Sequence, residues 1–150
     1  MYEPCIVYFR TREQSRDPFI MWDREDKAFF AAGACHILAH MFLSLHRDEG
    51  YELIHVKPKV DYPGNHMYAS NGTWAFDFNG WTLEEELLEV SGSTWEQAYP
   101  GWRCERIVVK EGLPQYALQS GHRPPEYFPY LPWERAYKYI KQFADSPPVI

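Results

Sequence analysis

The chain has little basic charge: 15 Lys and Arg stand against 21 Asp and Glu, a formal net charge of -6. No cluster of Lys or Arg breaks that balance. A phosphate backbone has to be neutralised by a basic stripe, so nucleic acid is not an expected partner. An anionic membrane surface is disfavoured for the same reason. There are only three cysteines, Cys5, Cys35 and Cys104, widely spaced and with no CxxC pair. Three cysteines cannot all pair, and the pattern reads as reduced thiols in a cytoplasmic setting, though a secreted effector delivered without a signal peptide would look the same. Long apolar runs are missing too. The most apolar stretch, Ala28 to Leu45, is interrupted by His36, His40 and Ser44, which suits a buried helix and not a membrane span. No basic flank followed by an apolar stretch opens the chain, so no signal peptide is expected.

What is abundant is aromatic: six Trp, eleven Tyr and nine Phe among 150 residues. Burial on that scale offsets the entropy of ordering a chain of this length, and residues 1–150 read as one folded domain. Residues 5–9 read as a short strand. Ala28 to His46 reads as a helix, with Ala34, Leu38, Met41 and Leu45 on one stripe. Gly33 either marks where that helix properly begins or is a tolerated glycine inside it. Residues 51–60 form a strand, and His66–Ser70 and Thr73–Phe78 form two more around Asn71-Gly72, the signature of a two-residue hairpin. Thr82 with Glu85, and Ser93 with Glu96, predict two short helices opened by capping boxes, the Glu84–Glu86 run being solvated. Residues 103–110 form a strand, and 113–132, with five of the twelve prolines, are irregular. A last helix starts near Pro132 and buries Trp133, Ala136, Tyr137, Ile140, Phe143 and Ala144. The expected fold class is α+β: a long helix packed on a small, mainly antiparallel sheet.

The hairpin carries the chemistry. With Asn71-Gly72 as its turn, Ser70 faces Thr73 and the ladder runs outward until His66 faces Asp77. Opposed residues of an antiparallel pair project from one face. An imidazole beside a carboxylate has its tautomer fixed and its positive form supported. Cys35 is the group such a histidine serves. A thiol in the first turn of a helix and next to an imidazolium is favoured as thiolate, the nucleophilic form. Cys35, His66 and Asp77 are thus the candidate catalytic residues, as nucleophile, base and orienting carboxylate.

Gly33-Ala34-Cys35-His36, then His66 opening a strand, then Phe76-Asp77-Phe78-Asn79-Gly80-Trp81, resembles the core of the papain-like and transglutaminase-like superfamily. The resemblance covers about residues 30 to 82 and implies a thiol-dependent hydrolase or acyl transferase acting on an amide or thioester bond. It implies a small-molecule or protein amide substrate, with no cofactor and no metal. No glutamine lies shortly before Cys35, where many members carry an oxyanion-hole residue; Gln14 is much further upstream. Trp81 is expected to shield the His66–Asp77 pair from water. Two other readings stand beside this one. The first is a binding protein with the same fold and an inert Cys35. The second is a histidine metal site, since His36 and His40, four apart, share a helix face. Oligomeric state is not legible here.

Overall fold

The computed structural model describes residues 17–110 and 122–149. The strand expected over 5–9, and Gln14, lie outside them. In chain order the elements are α1 (Pro18–Trp22), α2 (Asp26–Ala31), α3 (Cys35–Leu45), β1 (Glu52–Pro58), β2 (His66–Ser70), β3 (Trp74–Asp77), β4 (Gly80–Leu83), α4 (Glu84–Ala98), β5 (Cys104–Val109) and α5 (Trp133–Ile140). A 3-10 turn, Pro125–Tyr127, precedes α5. The fold is α+β. Its five-stranded sheet has the order β4-β3-β2-β1-β5, and every pairing is antiparallel.

The single long helix expected from Ala28 is two helices. Between α2 and α3 the chain turns at Gly33, whose φ of +148° is a backbone conformation that L side chains rarely adopt. A Cβ there would also sit 2.8 Å from Met21 Sδ. α3 therefore starts at Cys35, with Ala34 as its cap. The first-turn N–H groups of a helix have no acceptor within it, so Cys35 stands at the electropositive end.

The sheet is buried on both faces. Against one pack Ile37, Leu38 and Phe42 of α3 with Ala136, Tyr139 and Ile140 of α5, meeting Ala69, Trp74 and Phe76. On the other, Leu87 of α4 and Trp102 join Ile54, Val56, Tyr68 and Ala75. Two buried faces explain why β2 and β3 read as continuous apolar runs instead of alternating ones. Phe42 is fully buried and stacks on Phe76 at 4.6 Å between centroids. Burying one such side chain contributes roughly 1.5–3 kcal/mol. In α5 it is Tyr139, not the expected Tyr137, that faces inward; Tyr137 is exposed.

Four other local expectations are corrected. The hairpin turn sits one residue later than Asn71-Gly72, because the Asn71 side chain accepts from Thr73 N–H (2.9 Å) and Trp74 N–H (2.7 Å). Asn71 thereby becomes the first residue of the turn, its own N–H bonds the Trp74 carbonyl, and Ser70 pairs with Ala75 and Ala69 with Phe76. Thr82 opens no helix: residues 80–83 form β4 against β3, and Thr82 pairs with Ala75. The two short helices are one, α4, running through Ser93, while Glu96 accepts from Gly101 N–H. Glu84 is not solvated either. It is buried, and its carboxylate bonds Tyr68 Oη at 2.9 Å together with Ser70 Oγ and Arg106 Nε.

Among the described residues no helix is long and apolar enough to cross a membrane.

Candidate active site

The site gathers where the head of α3 meets the start of β2 and the end of β3. Moving the hairpin turn from 71–72 to 72–73 changes the sum of paired positions by two. A change of one would send His66 and Asp77 to opposite faces, but a change of two keeps them together. They meet diagonally instead of directly opposed: His66 Nε2 lies 3.0 Å from Asp77 Oδ2. Asp77 is buried, and its other oxygen accepts the Asn79 N–H at 2.8 Å. That second bond anchors the carboxylate in the tight turn between β3 and β4. Gly80, at φ +77°, closes the turn, and a Cβ there would sit 2.5 Å from the Phe143 ring.

With Nε2 committed to Asp77, Nδ1 is the His66 nitrogen left to serve Cys35. Burial opposes the charge on His66, but hydrogen bonds to Asp77 and Cys35, and the charges of both, outweigh it and raise its pKa to about 10. Burial likewise pushes the Cys35 thiol up, yet the imidazoles of His122, His36 and His66 overcome this and hold it well below its ordinary range. The two shifts are complementary, since each charge stabilises the other. Cys35 is 5% exposed and the His66 side chain 13%, so little of the pair meets solvent. Trp81 does not shield it. Its Nε1–H bonds the Ala144 carbonyl at 2.8 Å, and its ring packs with Phe42, Phe76, His46 and Tyr51. The aromatic rings beside His66 are Tyr68 and Phe78, at 5.9 and 5.8 Å.

Sequence reasoning missed the other histidines around the thiol. Four of the chain's six gather here. His36, fully buried, directs Nε2–H to the Arg123 carbonyl at 2.5 Å. His122 lies with its ring centroid 5.1 Å from that of His36 and 5.2 Å from that of His55. His55 in turn bonds Asn65 Oδ1 through Nε2 at 2.6 Å. His122 and Arg123 belong to the proline-rich segment read as irregular, where no periodicity reports a long-range partner. His36 and His40 stand four apart on α3 as expected, but His40 packs on Trp133 at 5.7 Å, and the ligand-type group among the described residues joins His36 with Cys35 and His122.

Cys104, the other described free cysteine, is exposed on β5, and partial burial pushes its thiol up.

Compared with protein families, curated proteins and solved structures, the chain has no match.

Proposed function

We propose that the chain is a cysteine-dependent hydrolase or acyl transferase acting on amide or thioester bonds, with Cys35 as nucleophile, His66 as base and acid, and Asp77 as the orienting carboxylate. The observation that carries this reading is the His66–Asp77 hydrogen bond of 3.0 Å, with the same imidazole beside a thiol that opens a helix. The resemblance of residues 30–82 to the papain-like and transglutaminase-like core supports it. In the proposed reaction the Cys35 thiolate attacks a carbonyl carbon, forming an S–C bond and a tetrahedral oxyanion beside the N-terminal N–H groups of α3. Collapse breaks the bond to the leaving amine or thiol, which takes the proton from His66. A water, or an acceptor amine, then attacks the thioester with His66 taking back a proton, and the Cys35 thiolate is released. Asp77 keeps Nε2 protonated throughout, so that Nδ1 does the transfers. The low exposure of Cys35 and His66 favours a small acyl donor or a slender side chain over a folded protein surface. A reducing compartment such as the cytoplasm keeps the thiol available.

The burial of Cys35 favours one rival, an inert structural thiol in a binding protein. Iodoacetamide labelling of chelator-treated protein, read by peptide mass at about pH 6, separates them. Fast labelling of Cys35 that is lost in His66→Ala supports the hydrolase. Slow labelling in both proteins supports the rival.

A further inference from the structure

We propose that Cys35, His36 and His122 form a binding site for a zinc ion, and that zinc held there blocks Cys35 as a nucleophile. One ligand atom from each of the three lies within 4.8 Å of the other two, and Cys35 and His36 are buried. One thiolate sulfur and two imidazole nitrogens are donors that zinc takes readily.

His36 supplies the independent observation. Its Nε2–H is spent on the Arg123 carbonyl, which leaves Nδ1 with its lone pair in the neutral ring. Nδ1 is buried and makes no well-formed hydrogen bond, while its ring lies close enough to Cys35 to interact with the thiol. A buried polar atom in that state costs stability unless something fills its lone pair. A histidine whose distal N–H is fixed on a backbone carbonyl, with the proximal nitrogen free, is arranged as metal-binding histidines are. His122 is steadied between the rings of His36 and His55, and His55 is pinned by Asn65. The ligands are therefore positioned by contacts outside the set.

Three protein ligands leave a fourth position for water or a ligand, so this is not a closed structural site. A thiolate bound to zinc shares a lone pair and part of its charge with the metal, which makes it a much weaker nucleophile toward a carbonyl. Metal loading and thiol chemistry then oppose one another at Cys35. The site itself stands without the hydrolase reading; only its blocking role rests on it.

The test uses the full chain, stripped with a chelator and titrated with Zn²⁺ by calorimetry and with Co²⁺ as a spectroscopic probe. One equivalent of Co²⁺ is expected to give a thiolate-to-cobalt charge-transfer band, absent in Cys35→Ser. Zinc affinity is expected to fall about 100-fold or more in His122→Ala and in His36→Gln. The glutamine can still donate to the Arg123 carbonyl, which keeps the fold while removing the Nδ1 ligand. Zinc is also expected to protect Cys35 from iodoacetamide. No one-to-one zinc binding, no cobalt–thiolate band, or an affinity unchanged in both folded histidine variants overturns the site. If stripped protein labels fast and zinc gives no protection, the zinc inference fails and the hydrolase reading stands. If zinc binds and protects while the stripped thiol labels slowly, the hydrolase reading fails and the site stands.

Discussion

Asp77 holds His66 with one carboxylate oxygen at 3.0 Å while its other oxygen is fixed to the Asn79 N–H at 2.8 Å. The carboxylate is therefore oriented by the turn before it orients the imidazole. Asp77→Asn tests that division of labour. The amide oxygen can keep the Asn79 bond, but the amide nitrogen then faces His66 Nε2 and favours the tautomer with the proton on Nδ1. Labelling of Cys35 in metal-free Asp77→Asn should fall by on the order of tenfold or more at neutral pH. The circular dichroism spectrum should stay that of the wild type. An unchanged rate would separate Asp77 from the thiol's activation.

The two cysteines should label in the order opposite to their exposure. Cys104 is exposed but its thiol is pushed up; Cys35 is buried but its thiol is held well below the ordinary range. At about pH 7 in metal-free protein, Cys35 should be modified first by a small alkylating agent, and peptide mass reads the order. Modification of Cys104 alone is the contrary result.

The same pair gives stability a pH dependence. His66 is raised from 6.5 to about 10, so its positive form contributes fully below about pH 6.5 and is lost as pH rises through about 10. The depressed Cys35 works in the other direction, adding stability only above the pH at which it ionises. Below about pH 9, the ordinary thiol value, the two trends oppose one another, so melting temperature should fall chiefly between about pH 9 and pH 10 in the wild type, and less steeply in Asp77→Asn. Scanning fluorimetry in chelator-containing buffers across that range makes the comparison.

Glu84 predicts an acid limb. Burial raises its carboxyl, but the hydrogen bonds from Arg106, Ser70 and Tyr68 outweigh it and leave the pKa lowered. Its contribution is present above the ordinary carboxyl pKa and is lost as pH falls through the depressed one. Glu84→Gln should lower unfolding free energy by about 1–3 kcal/mol near neutral pH, measured in urea, and flatten the loss at low pH. Equal acid sensitivity in both proteins would assign the limb to other groups.

Gly80→Ala should destabilise by roughly 2–3 kcal/mol, since the new Cβ meets a positive φ and the Phe143 ring at once. Urea midpoints of Gly80→Ala and Phe143→Ala, singly and combined, check the cause. A double variant no worse than Phe143→Ala alone would locate the cost in the steric contact and not in the backbone.

The parts of this arrangement legible in the sequence are those that depend on neighbours along the chain. The runs 66–70 and 73–78 show where strands lie, and parity puts His66 and Asp77 on a common face even though Asn71 shifts the turn. Gly33 signals the break that puts Cys35 at a helix head, though one continuous helix fits the apolar stripe equally well. What the sequence hides depends on tertiary competition. Thr82 and Glu85 satisfy a capping box, but pairing with β3 claims Thr82 first. Glu84 looks like one member of an acidic run until Tyr68, Ser70 and Arg106 surround it. His122 has no local signal for the rings it meets, because His36 and His55 are 86 and 67 positions away.

That distance sets an order of events during synthesis. A ribosome delivers Cys35, His66 and Asp77 first, and His122 only 45 residues after Asp77. At about 5–20 residues per second, the interval is roughly 2–9 s. Until His122 and Arg123 have been made, His36 lacks the carbonyl that takes its Nε2–H, and Cys35 lacks one of the imidazoles that lower its thiol pKa. The thiol therefore gains its full acidity, and with it its nucleophilic character, late in synthesis, and a nascent chain carries a less reactive cysteine than the finished protein.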